Sequence, residues 1–302
     1  TQEHSSAASD VYKRQAVGRQ ALYSNTTGGN NTAVGPNALV GNTTGDNNAA
    51  FGRNALTANT TANNNSAFGH QALSSNTTGE DNVAIGEQTL ESNTTANYNI
   101  AVGSQALEAN TTGASNVSVG HQSLHSNTTA SNNTAVGYRV LEANTTGTQN
   151  TAVGKESLTS TTTGNYNSAL GSGALYANTT GDRNTSMGIN ALYTNSTASN
   201  NSAFGANALG SNTTGSENTA VGKEALNTNN ASNNSAFGVT ALYANTTGAS
   251  NTAVGQSALK DNTTASYNTA VGRVAMFENT TGAENTALGA SALYLSLIHI
   301  SE

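Results

Sequence analysis

Residues 31–47 read N-T-A-V-G-P-N-A-L-V-G-N-T-T-G-D-N, and residues 48–64 restate them as N-A-A-F-G-R-N-A-L-T-A-N-T-T-A-N-N. The glycine of this unit recurs at Gly18, Gly35, Gly52, Gly69 and Gly86, and so on to Gly289. Every spacing is 17 residues except Gly222 to Gly238, which is 16. A period this strict means that one small unit stacks on itself, which decides the fold before any local propensity is weighed. Helical solenoids need about 33 to 47 residues per unit, because two helices and their turns must fit. A shorter unit rich in Gly, Asn and Thr favours strands over helix. The sequence therefore predicts an all-β chain: a parallel β-solenoid of about sixteen 17-residue coils over residues 16–294. Two short strands per coil are expected, one at T-A-V-G and one at x-A-L-x.

Counting from Asn31 as the first position, each column has its own rule. The first is Asn throughout (Asn31, Asn48, Asn65, Asn82, Asn99, on to Asn285), and the third is Ala or Ser. The fourth is a larger apolar residue, as in Val34, Phe51, Phe68, Ile85 and Met187. The ninth is Leu (Leu39, Leu56, Leu73) in sixteen of seventeen copies, with Met276 the exception. The twelfth is Asn (Asn42, Asn59, Asn76) apart from Thr161. Stacked coils place like residues about 4.8 Å apart. The Asn columns can then run as amide ladders, each side chain donating one way and accepting the other. The fifth column, Gly35, Gly52, Gly69 and Gly86 among others, never varies. It implies either a left-handed backbone or a neighbouring backbone too close for a Cβ. Column fifteen alternates Gly45 with Ala62 and Gly79 with Ala96, so it needs no positive φ. The shortened unit loses its residue around Asn229 to Asn233, in the N-T-T-G turn, where a length change is tolerated. No Asn-Gly pair occurs, which argues for parallel coils over hairpins.

The chain carries a net charge of −7 and no cysteine or tryptophan. Without a basic stripe to neutralise phosphates it is no nucleic-acid binder. Without a basic amphipathic helix, direct membrane contact by this segment is not expected. Disulfides and thiolate metal sites are excluded. Apolar content is mostly Ala, Val and Leu, a thin core that association with further chains would support. We expect the small third column to face a neighbouring chain while Val and Leu fill each coil. The reverse assignment stays open.

The two ends do not resemble the repeat. Leu295 to Ile300 can be written as codons whose reverse complement translates as residues 10–15, DVYKRQ. The segments 1–15 and 295–302 therefore resemble translated sequencing-adapter sequence flanking an insert from environmental DNA, and are not expected to be native.

The recurring Asn-Thr-Ala-Val-Gly-x-x-Ala-Leu core, carried for example by Asn31, Ala33, Val34, Gly35, Ala38 and Leu39, resembles the head repeats of YadA-type trimeric autotransporter adhesins. It is also similar to repeats of phage-type tail fibres. The resemblance implies a left-handed β-roll, a homotrimer, an extracellular, cell-surface or virion location, and adhesion to a host-surface protein or glycan. Those head repeats run at about 14 residues. The unit here is 17 residues because of the inserted N-T-T-G turn, a departure from that pattern in the part of the coil that sets its cross-section.

Catalysis needs a non-repeated constellation in a concavity, and the sequence offers no catalytic, metal or cofactor set. His70, His121 and His125 sit at variable positions, as do Glu80, Asp81, Glu142, Glu156 and Glu224. These read as solvated polar substitutions. Tyr23, Tyr176, Tyr193, Tyr243 and Tyr294 all follow the core Leu and share one edge, where aromatics can stack on sugars or anchor a protein. The N-T-T triplets match the N-x-[ST] glycosylation acceptor and equally suit a turn. The sequence points to a structural and adhesive fibre segment. The alternative is an ice-binding solenoid using stacked Thr and Asn columns such as Thr43 and Thr44.

Overall fold

The computed structural model describes residues 14–295. Most of both adapter-like ends lies outside the described residues. The chain is a parallel β-solenoid of β-roll type that divides into two units, residues up to Gln149 and residues from Asn150. In the first unit β1 (Gln15–Val17), β2 (Thr32–Val34) and β3 (Ala49–Phe51) are followed at the same period by five more strands, ending at β8 (Thr134–Val136). In the second, nine strands run from β9 (Thr151–Val153) and β10 (Ser168–Leu170) to β17 (Thr286–Leu288). Within each unit, successive strands pair in parallel with like columns opposed, Ala33 against Ala50 and Val34 against Phe51.

Each coil contains one three-residue strand, not two. The expected second strand, x-A-L-x, is a run of turns. In the coil of Asn31, Asn37 and Leu39 have φ of 60° and 50°. Ala38 N–H donates to the Gly35 carbonyl (3.3 Å), and Asn42 N–H donates to that of Leu39 (3.2 Å). Alternate amides leave the coil instead: Asn37 N–H reaches the Arg19 carbonyl (2.9 Å) and Leu39 N–H reaches that of Ala55 (3.0 Å). The backbone bonds between coils as a strand would, but left-handed residues at columns seven and nine curl it into successive turns. A left-handed leucine costs about 1–2 kcal/mol. Complete burial of its side chain offsets this, since Leu39, Leu56 and Leu73 are all 0% exposed. A β-branched side chain is worse placed at φ > 0; column seven takes two, Thr240 and Val274, at φ of 54° and 53°, and column nine takes none.

The lumen is filled by columns three, eight and nine together with the two Asn columns. Ala33, Ala38 and Leu39 are buried, as are Asn31 and Asn42. Columns three and eight meet across it: Ser186 Oγ donates to the Ala191 carbonyl (2.8 Å), and Ser118 Oγ donates to that of Ser123 (2.8 Å). This overturns the expectation that the small column faces a neighbouring chain and that Val helps fill the coil. Strand residues alternate faces, so in T-A-V only the middle residue points inward. Opposite a buried Leu, column three has room for Ala or Ser and nothing larger. Column four points out.

Both explanations left open for the invariant glycine hold. Gly35 has φ of +132°, and a Cβ there would stand 2.6 Å from the Gly52 carbonyl oxygen. Column fifteen takes no positive φ, as its alanines require. The short coil keeps the strand register, with Thr219 opposite Ser235 and Val221 opposite Phe237. Its missing turn residue is replaced by a side chain. In a regular coil, Thr43 N–H and Oγ1 both donate to the Thr60 carbonyl (2.8 and 3.0 Å). At the deletion, Thr213 N–H and Oγ1 both donate to Asn230 Oδ1 (2.7 Å each).

Candidate functional site

Columns two and four form the outer face of the strands. In the second unit, column two is Thr or Ser in every coil, and column four is Val153, Leu170, Met187, Phe204, Val221, Phe237, Val254, Val271 and Leu288. Leu170 is 47% exposed and Phe204 37%. Between the two columns, Thr151, Val153, Ser168, Leu170, Thr185 and Met187 border a shallow apolar furrow whose floor includes Ala169 and Ser186. In the first unit, column two also turns apolar at Val83, Ile100 and Val117. There Ile85 and Ile100 are 42% and 43% exposed, and the Phe51 and Phe68 rings stack at 4.7 Å and 5°. Nine strands about 4.8 Å apart and a face about 10 Å wide give the second unit on the order of 400 Å² of mostly apolar surface. That approaches the largest patch of a typical monomer, and such patches mark interaction sites.

The two Asn columns work differently. Column twelve is a side-chain ladder: Asn42 Nδ2 donates to Asn25 Oδ1 (2.7 Å), Asn59 Nδ2 to Asn42 Oδ1 (2.8 Å) and Asn76 Nδ2 to Asn59 Oδ1 (3.1 Å). Each also caps the turn by donating to the carbonyl three residues on, as Asn42 Nδ2 does to Gly45 (3.0 Å). Column one bonds mainly to backbone. Asn31 Oδ1 accepts the Asn48 N–H (2.8 Å), and Asn48 Oδ1 accepts that of Asn65 (3.0 Å). Asn48 Nδ2 and Asn82 Nδ2 donate to the carbonyls of Ala62 (2.8 Å) and Ala96 (2.9 Å), and Asn99 follows the same pattern. Gly52, Gly69 and Gly86 repeat the geometry of Gly35, with φ of 141°, 147° and 137°. These columns hold the coils together and present nothing to solvent. The asparagines of most N-T-T triplets lie buried in column twelve, closed to an enzyme reading the sequon on the folded chain.

The tyrosines lie on column ten. Tyr23 is 76% exposed, and Tyr176 and Tyr193 stack at 5.0 Å and 10°. Tyr294 stacks on Phe277 at 5.2 Å, and Tyr243 is half-buried in the same row. Side chains of this column reach back over column seven of the preceding coil. Asn227 Nδ2 donates to the Asn207 carbonyl (2.9 Å), Gln71 Nε2 donates to Glu91 Oε1 (3.1 Å), and the Tyr193 ring lies over Gly173.

The titratable groups remain dispersed. His70 pairs with Arg53 (2.7 Å) and lies 3.6 Å from Glu87. His121 stacks on Tyr138, and His125 Nδ1 lies 3.4 Å from Glu108. Glu80 accepts from Asn63 (2.7 Å). Glu142 chelates Arg139 through Nε and Nη2 (2.8 and 2.9 Å), and this hydrogen-bonded carboxylate raises the guanidinium pKa above its ordinary value. Among the described residues no group of three or more His, Asp or Glu could hold a metal ion, and no helix is long and apolar enough to cross a membrane. Column-thirteen hydroxyls such as Thr43 and Thr77 donate to carbonyls of the next coil (3.0 Å each), while column fourteen, as at Thr44 and Thr78, lies exposed. No protein-family model matches the chain, and no curated protein matches it. Column four was expected inside, with the outward assignment left open. Its varying size, from Val to Phe and Met, was the available signal.

Proposed function

We propose that this chain is a segment of a structural and adhesive fibre, of a cell-surface adhesin or a tail fibre, whose strand faces pack together in a homotrimer. One observation carries the reading: column four leaves an unbroken apolar row on the outside of each unit. A row of Val, Phe, Leu and Met in water is costly, and covering it with copies of itself removes the same columns from solvent in every chain. The third copy is supported by the resemblance of the repeat to trimeric adhesin heads. A repetitive β-solenoid is an architecture typical of structural proteins, and we read this one as structural and not catalytic. Its location would be extracellular, on a cell surface or on a virion. The polar turn faces then remain outward for a host protein or glycan, and their repetition adds weak contacts together. The ice-binding alternative is less favoured, because the column-thirteen hydroxyls already donate to carbonyls of the next coil, which leaves column fourteen, as at Thr44, as its exposed Thr row.

Light-scattering mass across a concentration series tests this. The expected result is three times the 30.4 kDa chain mass. The variant F204S/V221S/F237S should drop toward monomer with its circular dichroism unchanged. A wild-type monomer at all concentrations, or a variant that still associates, would overturn the reading.

A further inference from the structure

We propose that the aliphatic coils at Val83, Ile100 and Val117 fix the register in which copies of this chain pack against one another. The proposal rests on the self-association argued above and names the part of the strand face that aligns it. Three neighbouring strands, β5 (Val83–Ile85), β6 (Ile100–Val102) and β7 (Val117–Val119), pair in parallel, with Val83 opposite Ile100 and Ile100 opposite Val117. Both of their outward columns are aliphatic: Val83, Ile100 and Val117 in column two, and Ile85, Val102 and Val119 in column four. Elsewhere column two is Thr or Ser, apart from Gln15 and Ala49. The lumen does not demand the change, since Ala84 and Ala101 behind these strands are buried alanines like those of other coils.

Charge decides what covers the patch. No Lys, Arg, Asp or Glu occurs in columns two, three or four of any coil. From Asn31 onward, the charges of the repeat sit on columns six, seven, ten, eleven, sixteen and seventeen. Chains that each carry a net charge of −7 repel one another. The strand face is where copies can meet without setting like charges together. A repetitive face then meets an ambiguity. Sliding one copy along another by one coil, about 4.8 Å, replaces Thr or Ser by Thr or Ser over most of column two, and apolar by apolar in column four. The three aliphatic rungs break that equivalence. In register, the patch of each copy covers the same patch of its neighbours. A slip of one coil sets Val83 against a Ser66 rung and a Thr134 rung against Val117. Flush copies close into a finite assembly, whereas staggered copies leave an overhang of bare face that recruits further chains.

Light-scattering mass across a concentration series, on the full chain and on V83T/I100T/V117T, tests this. Thr is the native residue of this column at Thr134 and Thr151, so the variant should keep the solenoid, which circular dichroism checks. The wild type should reach a single mass, three times that of the chain, that grows no further with concentration. The variant should still associate through column four, but its mean mass should climb past the trimer by about twofold or more. That is the opposite sign to F204S/V221S/F237S, which loses mass. Spin labels read the alignment directly, because the chain has no cysteine. Thr44→Cys and Thr146→Cys, both exposed, are labelled singly and mixed. The wild type should show one interchain distance between unlike sites, and V83T/I100T/V117T a spread about it. A variant that falls to monomer overturns the proposal, since the patch then supplies affinity and not alignment. A variant that stays a discrete trimer with one distance overturns it too, and leaves the patch to another partner. A wild-type chain that associates without a fixed mass sinks the register claim alone, and a wild-type monomer sinks the fibre reading with it.

Discussion

Columns nine and four are both apolar, and only one of them is inside. Column nine is Leu in every coil but one, and away from the terminal coils it lies in the lumen at 0% exposure. Column four ranges over Val, Ile, Leu, Met and Phe and lies on the outer strand face. Stacked coils enclose similar lumens, so an interior column varies little: column nine admits only Leu and Met, and column eight departs from Ala only at Thr89, Ser123, Val140 and Ser157. An outer column has no such constraint. Uniformity of size, more than hydrophobicity, marks the inside of a repeat protein.

The sharpest way to break this contrast is to truncate both columns within one coil. Leu209→Ala should cost about 3–5 kcal/mol, because a fully buried side chain leaves a cavity between coils that cannot collapse. Phe204→Ala should cost under about 1 kcal/mol in the isolated chain, since that ring is 37% exposed already. Urea melts at low protein concentration compare the two, and equal losses would mean that column four supports the coil as much as column nine does.

A subtler pair changes shape in place of size. Leu209 has φ of 50°, a conformation poorly suited to a β-branched side chain. Leu209→Val should therefore lose about 2–3 kcal/mol, more than the missing methylene alone accounts for, whereas Phe204→Val should be close to neutral. If Leu209→Val costs no more than a methylene, backbone strain is not what keeps valine and isoleucine out of column nine.

The short coil shows that an exposed position can still be constrained when it replaces backbone. Asn230 Oδ1 accepts both the N–H and the hydroxyl of Thr213 where the deleted residue would have offered a carbonyl. Asn230→Ala should cost about 1–2 kcal/mol, and Asn230→Asp should retain most of that stability because it keeps the acceptor. Thermal melts of the two variants separate the roles. Similar losses in both would show that the acceptor is not what matters.

Much of this architecture was legible in the sequence, because the period registers every coil against the next. The strand at T-A-V, the tolerance of the second turn and the invariance of Gly35 all follow from it. Two features were hidden. The left-handed backbone at Leu39 has no residue signature, since leucine rarely adopts it, so A-L looked like a strand. Column four looked interior because it is apolar, and the constancy of the alanines at Ala33 and Ala50 was read as close packing between chains instead of a narrow lumen. The site followed the same division. The tyrosine edge was visible as a shared column, while the way its side chains reach back over column seven of the preceding coil was not.

Thr161 tests the uniformity rule from the other side. It is the single exception in column twelve. Its hydroxyl is buried without a hydrogen-bond partner, and Asn178 Nδ2, one coil on, donates only to its own turn carbonyl at Gly181 (3.0 Å). Every regular member of that column has an amide oxygen behind it, as Asn195 has Asn178 (2.9 Å). Thr161→Asn should supply that oxygen and cap its own turn as well, raising stability by about 1 kcal/mol. The equivalent act on column four, Met187→Val, also restores the commonest residue of its column but should change nothing measurable in the isolated chain. A stabilised Thr161→Asn beside a silent Met187→Val would mean that consensus matters only where the lumen enforces it. Equal gains from both would mean that column four answers to a packing constraint within the chain, and that its variety in size has some other cause.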